Sequence, residues 1–164
     1  YDGSWSNEIK RELFGGAQVS AVLPYDPKNK KIVLIQQFRP GTISRGSNNY
    51  LDEIVAGIID PGETPEDTAS RECLEETGCK VKNLRSIQGY FPAPGSSESF
   101  YHLYLAEIIS PDKEAIRGLE NENEDILVKS YTYEQVKEKM EKNEILNGLT
   151  LIALQWFFLN IYKS

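Results

Sequence analysis

The chain has 164 residues and a formal net charge of −7, because 25 acidic residues outnumber 18 basic ones. This length favours a single domain spanning residues 1–164, and 40 % hydrophobic residues exclude wholesale disorder. The acidic balance argues against non-specific nucleic-acid binding, and the longest apolar stretch, 149–162, is too short to span a bilayer.

Two features bear on the compartment and on the start of the chain. Cys73 and Cys79 fit neither a disulfide framework nor a zinc pattern, so we expect reduced thiols in a cytoplasmic protein. The chain begins at Tyr1 rather than Met and shows no signal peptide. We therefore expect that some native N-terminal residues precede Tyr1.

The predicted elements begin with strands at 18–25 and 31–38, joined by the turn sequence DPKNK, and continue with a polar loop at 42–49 and a strand at 51–56. After a helix at 65–77, the pattern predicts strands at 81–90, 100–108 and 126–133, an acidic loop at 110–125, and helices at 134–142 and from the cap Asn147 through Tyr162. Strands that precede and flank two or three helices indicate an α+β fold with a mixed sheet.

The helix at 65–77 has well-specified ends. Thr64 is a good N-cap, and Asp67 three residues later completes a pattern like a capping box. Pro65 suits the first helical position, and Gly78 suits the residue after the last turn. These residues are explained by helix structure alone.

The last turns of the same helix break the local rules. Glu75 and Glu76 lie where the helix dipole favours cations, and Glu72 and Glu76 form a like-charge pair at i,i+4. Arg71 can pair with Glu75, but one base cannot neutralise three carboxylates. A solvated acidic face is the plain alternative, and the spacing does not fit an EF-hand. Carboxylates that converge on a rigid helix favour a site for hard divalent cations.

The segment 57–79 resembles the Nudix box, G-x5-E-x7-R-E-U-x-E-E-x-G-U, in which U is a bulky apolar residue. The fixed positions are matched by Gly57, Glu63, Arg71, Glu72, Glu75, Glu76 and Gly78. Cys73 and Cys79 stand at the two apolar positions and are small for them. The resemblance implies an α+β fold of the Nudix type, an α/β/α sandwich with a mixed β-sheet. It also implies two or more Mg²⁺ ions, with Mn²⁺ as a substitute.

The resemblance further implies roles for individual residues. The implied metal ligands are the carbonyl of Ala56 and the carboxylates of Glu63, Glu72 and Glu76. Glu75 would assist in catalysis, and Arg71 would orient it. Gly57 and Gly62 would allow the turn to approach the metal ions closely.

Two loops resemble those of bacterial ADP-ribose pyrophosphatases within this family. Pro94 stands at the distance after the box that marks these enzymes, and Glu98 beyond it would contact a ribose hydroxyl. In the segment 118–128, Glu122 matches the catalytic base, Glu120 is its rival, and Glu124 is a neighbour at the substrate. An ordinary turn proline and solvated loop acids are the alternatives.

The N-terminal segment KRELF, 10–14, and the C-terminal segment 149–160 resemble the same subfamily. The resemblance implies that Arg11 and Glu12 bind the adenine end, across the interface of a homodimer. Arg39 ends a strand and would meet the diphosphate with its forked guanidinium. Surface ion pairs are the alternative for all three residues.

The resulting prediction is a Mg²⁺-dependent enzyme that hydrolyses ADP-ribose, a small nucleoside diphosphate substrate, to AMP and ribose 5-phosphate. A related Nudix enzyme for a nucleotide sugar such as GDP-mannose is the nearest alternative. A catalytically silent module that binds ADP-ribose-like ligands is a second, although such a module would be expected to lose the carboxylates that this chain keeps. A cation-binding structural protein is a more distant third. Nucleic-acid and membrane partners are not expected.

Overall fold

The computed structural model describes residues 2–46, 49–119 and 124–162. Within these ranges the fold is α+β. The strands are β1 (Gln18–Asp26), β2 (Lys31–Phe38), β3 (Tyr50–Glu53), β4 (Val55–Ile58), β5 (Asn83–Tyr90), β6 (Phe100–Glu107), β7 (Ala115–Arg117) and β8 (Ile126–Thr132). The helices are α1 (Pro65–Thr77), α2 (Tyr133–Glu141) and α3 (Gly148–Asn160), with a 3-10 helix at Pro40–Arg45.

The strands form one mixed sheet in the order β5-β6-β1-β2-β8-β7. β1 and β6 run parallel, from Gln18 opposite Phe100 onward. β1 and β2 pair only beside their turn, at Tyr25–Ile32 and Asp26–Lys31, and then diverge. β4 pairs with β1 and β3 pairs with β2 beyond the point of divergence. The widening gap between the two central strands is therefore lined by β3 and β4.

The sheet is covered by helices on both faces, as an α/β/α sandwich. Successive side chains of a strand point to opposite faces, so neighbours in β1 enter different cores. Leu23 packs with residues of α2 and α3, including Val136 and Phe157, whereas Val22 packs with Ala69 of α1. The predicted fold class is confirmed, and the acidic helix α1 lies alone on its face among the described helices.

The predicted single strand at 51–56 is two strands that break at Ile54. The backbone N–H of Ile54 donates to the hydroxyl of Thr150 in α3 at 3.0 Å, and both residues are buried. A side chain from a distant helix thus satisfies the donor that the sheet leaves unpaired. The break turns β3 and β4 toward different partners and opens the space beside Glu53.

Other elements follow the predicted pattern with small differences. α1 has the predicted bounds, and the side chain of Asn147 caps α3 by accepting from the N–H of Thr150 at 3.0 Å. The predicted acidic loop at 110–125 contains the short strand β7, which pairs with β8. None of the described helices has the length and apolar character needed to cross a membrane.

Candidate active site

Local backbone and side-chain contacts fix both ends of α1. The hydroxyl of Thr64 accepts from the N–H of Asp67 at 3.2 Å, and the Asp67 carboxylate accepts from the N–H of Thr64 at 3.2 Å. Gly78 ends the helix with a φ of 73°, a conformation that glycine adopts without strain. These local contacts fix which turn of α1 carries the acids that face the sheet.

Arg71 organises the acids at this end of the site. Its Nε and Nη2 bind Glu63 in a fork at 2.8 and 2.9 Å, and its Nη1 donates to Glu72 at 2.8 Å and to Glu75 at 3.0 Å. The hydrogen bonds from Arg71, followed by one from Thr68, lower the pKa of Glu63 to about 2. Nη2 of Arg71 also lies 3.7 Å from Asp60, so one positive charge is paired with four carboxylates and the cluster stays negative. The predicted Arg71–Glu75 contact is present, whereas the fork to Glu63 spans eight positions and was not anticipated.

Glu76 is the least satisfied acid of the site. Its side chain is 2 % exposed, and its buried Oε2 has no hydrogen-bond partner among the described residues. Burial, followed by the charges of Glu72 and Glu124, raises the pKa of Glu76 to about 9, although Arg39 and a backbone hydrogen bond with Ala56 oppose the shift. A buried carboxylate oxygen without a donor is costly, and a divalent cation is the partner that suits it.

At Gly57, strand β4 lies very close to the Glu72 side chain of α1. A Cβ at this position would lie 1.9 Å from Oε1 of Glu72. Only glycine lets the Glu72 carboxylate rest against the strand, next to the backbone of Ala56. The pKa of Glu72 is raised by burial in this cradle, and Arg71 opposes the shift. The oxygen donors and the cradle fit hard divalent ions.

Glu124 joins the same acidic group from the other side. It lines a cavity of about 400 Å³ together with Gly57, Glu72 and Arg71, and its charge raises the pKa of Glu76. Across residues 2–46, 49–119 and 124–162, however, no three His, Cys, Asp or Glu side chains already form a metal cage. The carboxylates present would therefore need supplementary ligands, such as water or substrate phosphate oxygens. Glu120 and Glu122 lie outside the described residues.

A second cavity, of about 660 Å³, adjoins the acidic group along β4 and shares Ala56, Gly57 and Ile58 with the first. Its polar groups are Arg39, Glu53 and Asn147. Its walls are Val19, Leu51, Ile54, Tyr90, Pro92, Tyr101, Leu149 and Ile152, with backbone from Pro40, Gly41 and Gly148. Apolar and aromatic walls with a few polar groups are typical of a small-molecule site.

The remaining predicted substrate residues lie apart from this cavity. Arg11 and Glu12 are exposed in an N-terminal segment without helix or strand structure, and Nη1 of Arg11 donates to the carbonyl of Lys10 at 3.0 Å. Pro94 and Glu98 are exposed in the loop between β5 and β6. The cavity wall contains Pro92 rather than Pro94.

Glu53 and Asn147 are the polar cavity residues that sequence reasoning did not select for the site. Glu53 is buried, and its carboxylate accepts from Arg39 and from Asn147. Within the strand sequence LDEIVA, an acid among apolar neighbours was the available signal. A buried acid needs a partner. That partner is Arg39, which was predicted from the sequence to meet the diphosphate.

Comparisons with known proteins agree with this geometry. A family model described as the NUDIX domain matches residues 16–149. The ADP-ribose pyrophosphatase of Escherichia coli strain K12 is 35 % identical over 160 residues, which cover 98 % of this chain and 77 % of that protein. The ADP-ribose pyrophosphatase of Haemophilus influenzae is 38 % identical over 163 residues, covering 98 % of this chain and 75 % of its own length. A GDP-mannose pyrophosphatase of Shigella flexneri is 34 % identical over 148 residues, covering 90 % and 76 %. Because the family model and these relatives match most of its length, the chain belongs to the Nudix family.

Proposed function

We propose that the chain is a divalent-metal-dependent pyrophosphohydrolase that cleaves ADP-ribose to AMP and ribose 5-phosphate. The observation that carries the proposal is the buried Oε2 of Glu76, which has no hydrogen-bond partner within the described ranges and lies in an acidic group beside a cavity of nucleotide size. The acids would repel a diphosphate if they were left uncompensated. Divalent cations at this site would provide a partner for Oε2 of Glu76, and their charge would offset the repulsion between the acids and the diphosphate.

Glu72 and Glu76 are the proposed principal ligands, with the carbonyl of Ala56 and the carboxylate of Glu63 completing the set. Glu75 assists, and Arg71 holds Glu63, Glu72 and Glu75 in place through the contacts described above. When bound, two or more Mg²⁺ ions, or Mn²⁺ in their place, supply Lewis acidity at the diphosphate and at the attacking water.

The reaction adds water to one phosphorus and breaks the bond from that phosphorus to the bridging oxygen. Glu122 is the proposed general base for the proton of that water, with Glu120 as the rival. The other phosphoryl group leaves with the bridging oxygen, so AMP and ribose 5-phosphate account for all atoms. Glu124 is proposed to contact the substrate from the acidic side.

The cavity on the other side of β4 is the proposed place for the rest of the substrate. Arg39 reaches it with a side chain that is 42 % exposed, so its guanidinium is available to a diphosphate oxygen. Arg11 and Glu12 are proposed to bind the adenine end, and Pro94 and Glu98 to border the ribose.

Binding of the adenine end by Arg11 would take place across a homodimer interface. The N-terminal segment supports this proposal, because Trp5 is 99 % exposed and Ile9, Leu13 and Phe14 are also exposed. The buried thiols of Cys73 and Cys79 suit a reducing cytoplasm. A single domain over 1–164 and the absence of nucleic-acid and membrane partners remain parts of the same proposal.

The alternative substrate, a nucleotide sugar such as GDP-mannose, draws support from the relative that acts on GDP-mannose, which matches a smaller share of this chain. The test incubates the protein with Mg²⁺ or Mn²⁺ and ADP-ribose, GDP-mannose or NADH, and quantifies the nucleoside monophosphates. Preferred turnover of ADP-ribose supports the proposal, whereas preferred turnover of GDP-mannose would overturn the substrate assignment. No turnover on any of the three would favour a silent binding module.

Two variants test the assigned chemistry within the same assay. Glu76→Gln removes a ligand charge and is expected to lower kcat by at least ~100-fold, because such a carboxylate acts on the reacting centre. Glu122→Gln is expected to lower kcat by ~100-fold or more, in the range of general base catalysis. Full kcat in Glu122→Gln would transfer the role of base to another acid.

A further inference from the structure

The cavity contains a buried acid, Glu53, for which the proposed reaction has no direct use. Its side chain is 3 % exposed, and its carboxylate lies at the end of β3, where the sheet opens beside Ile54. An acid this far from water must be held by donors, because burying an uncompensated charge is costly. The identity of those donors indicates what Glu53 does.

Arg39 supplies most of the compensation. Its Nε donates to both oxygens of Glu53, at 3.1 and 3.0 Å, and its Nη2 donates to Oε2 at 2.6 Å. A guanidinium held along one edge by a carboxylate loses most of its rotational freedom. In the described parts of the chain, Nη1 of Arg39 makes no hydrogen bond, so one edge of the guanidinium is left to meet a ligand in the cavity.

Asn147 holds the other side of Glu53. Its Nδ2 donates to Oε1 of Glu53 at 3.0 Å, while its Oδ1 accepts from the N–H of Thr150 at 3.0 Å and so caps α3. Glu53 therefore joins the end of β2, which carries Arg39, to the first turn of α3. Arg39 and Asn147 both line the cavity, and Glu53 is the contact that ties them together.

The ion pair also indicates that Glu53 acts on Arg39. Glu53 binds Nε and Nη2 of Arg39, and the Arg39 side chain also lines the cavity. Burial acts to lower the pKa of Arg39, but the hydrogen bonds and the charge of Glu53 oppose it and help to raise the pKa. Arg39 lies on the wall of the cavity that adjoins the proposed metal-binding acids along β4, where a diphosphate could reach both.

We propose that Glu53 is a positioning residue that, with Asn147, fixes Arg39 in advance as a clamp for the substrate diphosphate. This inference rests on the proposed function, because it assigns Arg39 to the diphosphate of that substrate. Holding the guanidinium before the substrate arrives removes the entropic cost of ordering a long side chain on binding. A purely structural ion pair would tie β2 to β3 without influencing substrate affinity.

A double-mutant cycle separates the two roles. Glu53→Gln and Arg39→Ala are each expected to lower kcat/KM for ADP-ribose by roughly 10–100-fold, mainly through KM, because the clamp binds the ground state and the transition state alike. The double variant should be no worse than Arg39→Ala alone, since Glu53 acts through Arg39. Losses that multiply, or an unchanged kcat/KM in Glu53→Gln, would overturn the proposal.

Glu138→Gln is the matched control. It breaks an exposed ion pair in which Lys142 lies 2.6 Å from Glu138, far from the cavity lining. Its kcat/KM is expected to stay within about twofold, because surface pairs contribute little. If Glu53→Gln does not fold, Asn147→Ser takes its place, since serine keeps the N-cap and removes only the donor to Glu53. That variant must also lose affinity through KM, and an unchanged KM would contradict the role.

A readout without turnover keeps this proposal distinct from the proposed function. In nitrogen-15 spectra, the Nε–H of Arg39 should give a sharp, slowly exchanging signal that Glu53→Gln broadens or abolishes, and Glu138→Gln leaves intact. Calorimetric titration with inorganic pyrophosphate and Mg²⁺ should show at least about tenfold weaker binding in Glu53→Gln. If the unchanged protein hydrolyses none of ADP-ribose, GDP-mannose and NADH, yet both effects of Glu53→Gln are observed, the proposed function fails and the clamp stands. Equal pyrophosphate binding by both proteins would overturn the clamp.

Discussion

The side chain of Glu76 shows how function works against stability at a single residue. It lies at the C-terminal end of α1, where the helix dipole already disfavours an anion, and its Oε2 has no donor among the described residues. Folding therefore buries a carboxyl group whose Oε2 is left unsatisfied in the described protein, and burial outweighs the opposing effects of Arg39 and of the hydrogen bond with Ala56 on its pKa. Such a residue is retained for what it binds rather than for the fold.

Replacing Glu76 with an apolar residue should therefore stabilise the metal-free protein. In Glu76→Met, we expect the free energy of unfolding in EDTA to rise by roughly 1–3 kcal/mol, the cost of a buried unsatisfied polar group. Turnover should be lost, and Mg²⁺ should no longer raise the melting temperature. Denaturant titrations with and without Mg²⁺ measure both effects.

Glu75→Met is the control for this prediction. Glu75 lies one residue earlier, but its carboxylate is paired with Arg71 at 3.0 Å. Its replacement should cost about 0.3–0.5 kcal/mol rather than stabilise the protein. If Glu76→Met is also destabilised in EDTA, Oε2 of Glu76 has a partner that compensates for its burial.

Gly57 offers a second test at the scale of one residue. In Gly57→Ala the new Cβ would meet the Glu72 carboxylate, which is the movable end of a side chain, so the backbone can stay in place. We expect kcat to fall by ~100-fold, because a displacement of about 1 Å in a reacting group has an effect of that size. The melting temperature should change little, and steady-state kinetics with thermal denaturation measure the two quantities.

Gly15→Ala is the matched control for Gly57→Ala. A Cβ at Gly15 meets no heavy atom within 4 Å, so the same chemical change is made without a clash. Its kcat should equal that of the unchanged protein. Equal kcat in both variants would show that the resting position of Glu72 against β4 is unimportant for turnover.

At the scale of elements, Thr150 couples α3 to the break between β3 and β4. Its hydroxyl accepts from the N–H of Ile54 and donates to Oδ1 of Asn147 at 3.1 Å, in a position without solvent exposure. The residue thus satisfies a sheet donor and supports the cap that holds Glu53. One hydroxyl therefore links the start of α3 to the break between β3 and β4.

Thr150→Val keeps the shape of the side chain and removes the hydroxyl. We expect the free energy of unfolding to fall by about 1–3 kcal/mol, because the buried N–H of Ile54 would be left without an acceptor. Denaturant titration measures the change. Thr150→Ser keeps the hydroxyl and loses only a methyl group, so it should be the milder variant. A larger loss in Thr150→Ser would mean that packing, rather than the hydrogen bond, matters at this position.

The same elements show which parts of the fold can be predicted from sequence. The bounds of α1 were predicted because Thr64, Asp67 and Gly78 act within one turn of each helix end. The break at Ile54 was not predicted, because its cause is Thr150, which lies 96 positions away. Likewise, β7 exists through pairing with β8 rather than through any pattern of its own three residues.

The residues of the candidate site also differ in whether they can be predicted from the sequence. The acids of α1 could be selected from spacing, since i,i+4 geometry places Glu72 and Glu76 on one face. Glu53 could not, because its role depends on Arg39 from β2 and Asn147 from α3, which only the folded chain brings to one carboxylate. Contacts within an element are visible in a sequence, whereas contacts among three elements are not.

For the whole molecule, the position of the acidic group next to the cavity makes the proposed metal and substrate binding interdependent. The acidic group contains Glu72, Glu76 and Glu124, and the cavity with Arg39 adjoins it along β4. Three carboxylates repel a diphosphate, yet the described acids do not form a complete metal cage by themselves. Bound metal ions would offset the carboxylates that repel the diphosphate, and the diphosphate would supply oxygen ligands that the acids do not provide.

We expect this interdependence to appear as reciprocal coupling between Mg²⁺ and a substrate analogue that resists hydrolysis, such as ADP-ribose with a methylene bridge between its phosphorus atoms. Each should raise the affinity for the other by the same factor, about 5–150-fold, because a coupling free energy is shared by both sites. Calorimetric titrations of each ligand in the presence and absence of the other measure the factor. In Glu76→Gln the factor should approach one, since the metal ions would lose a proposed principal ligand, whereas Glu138→Gln should leave it unchanged. Affinities that do not depend on the other ligand would contradict a shared site and would separate the acidic group from the cavity.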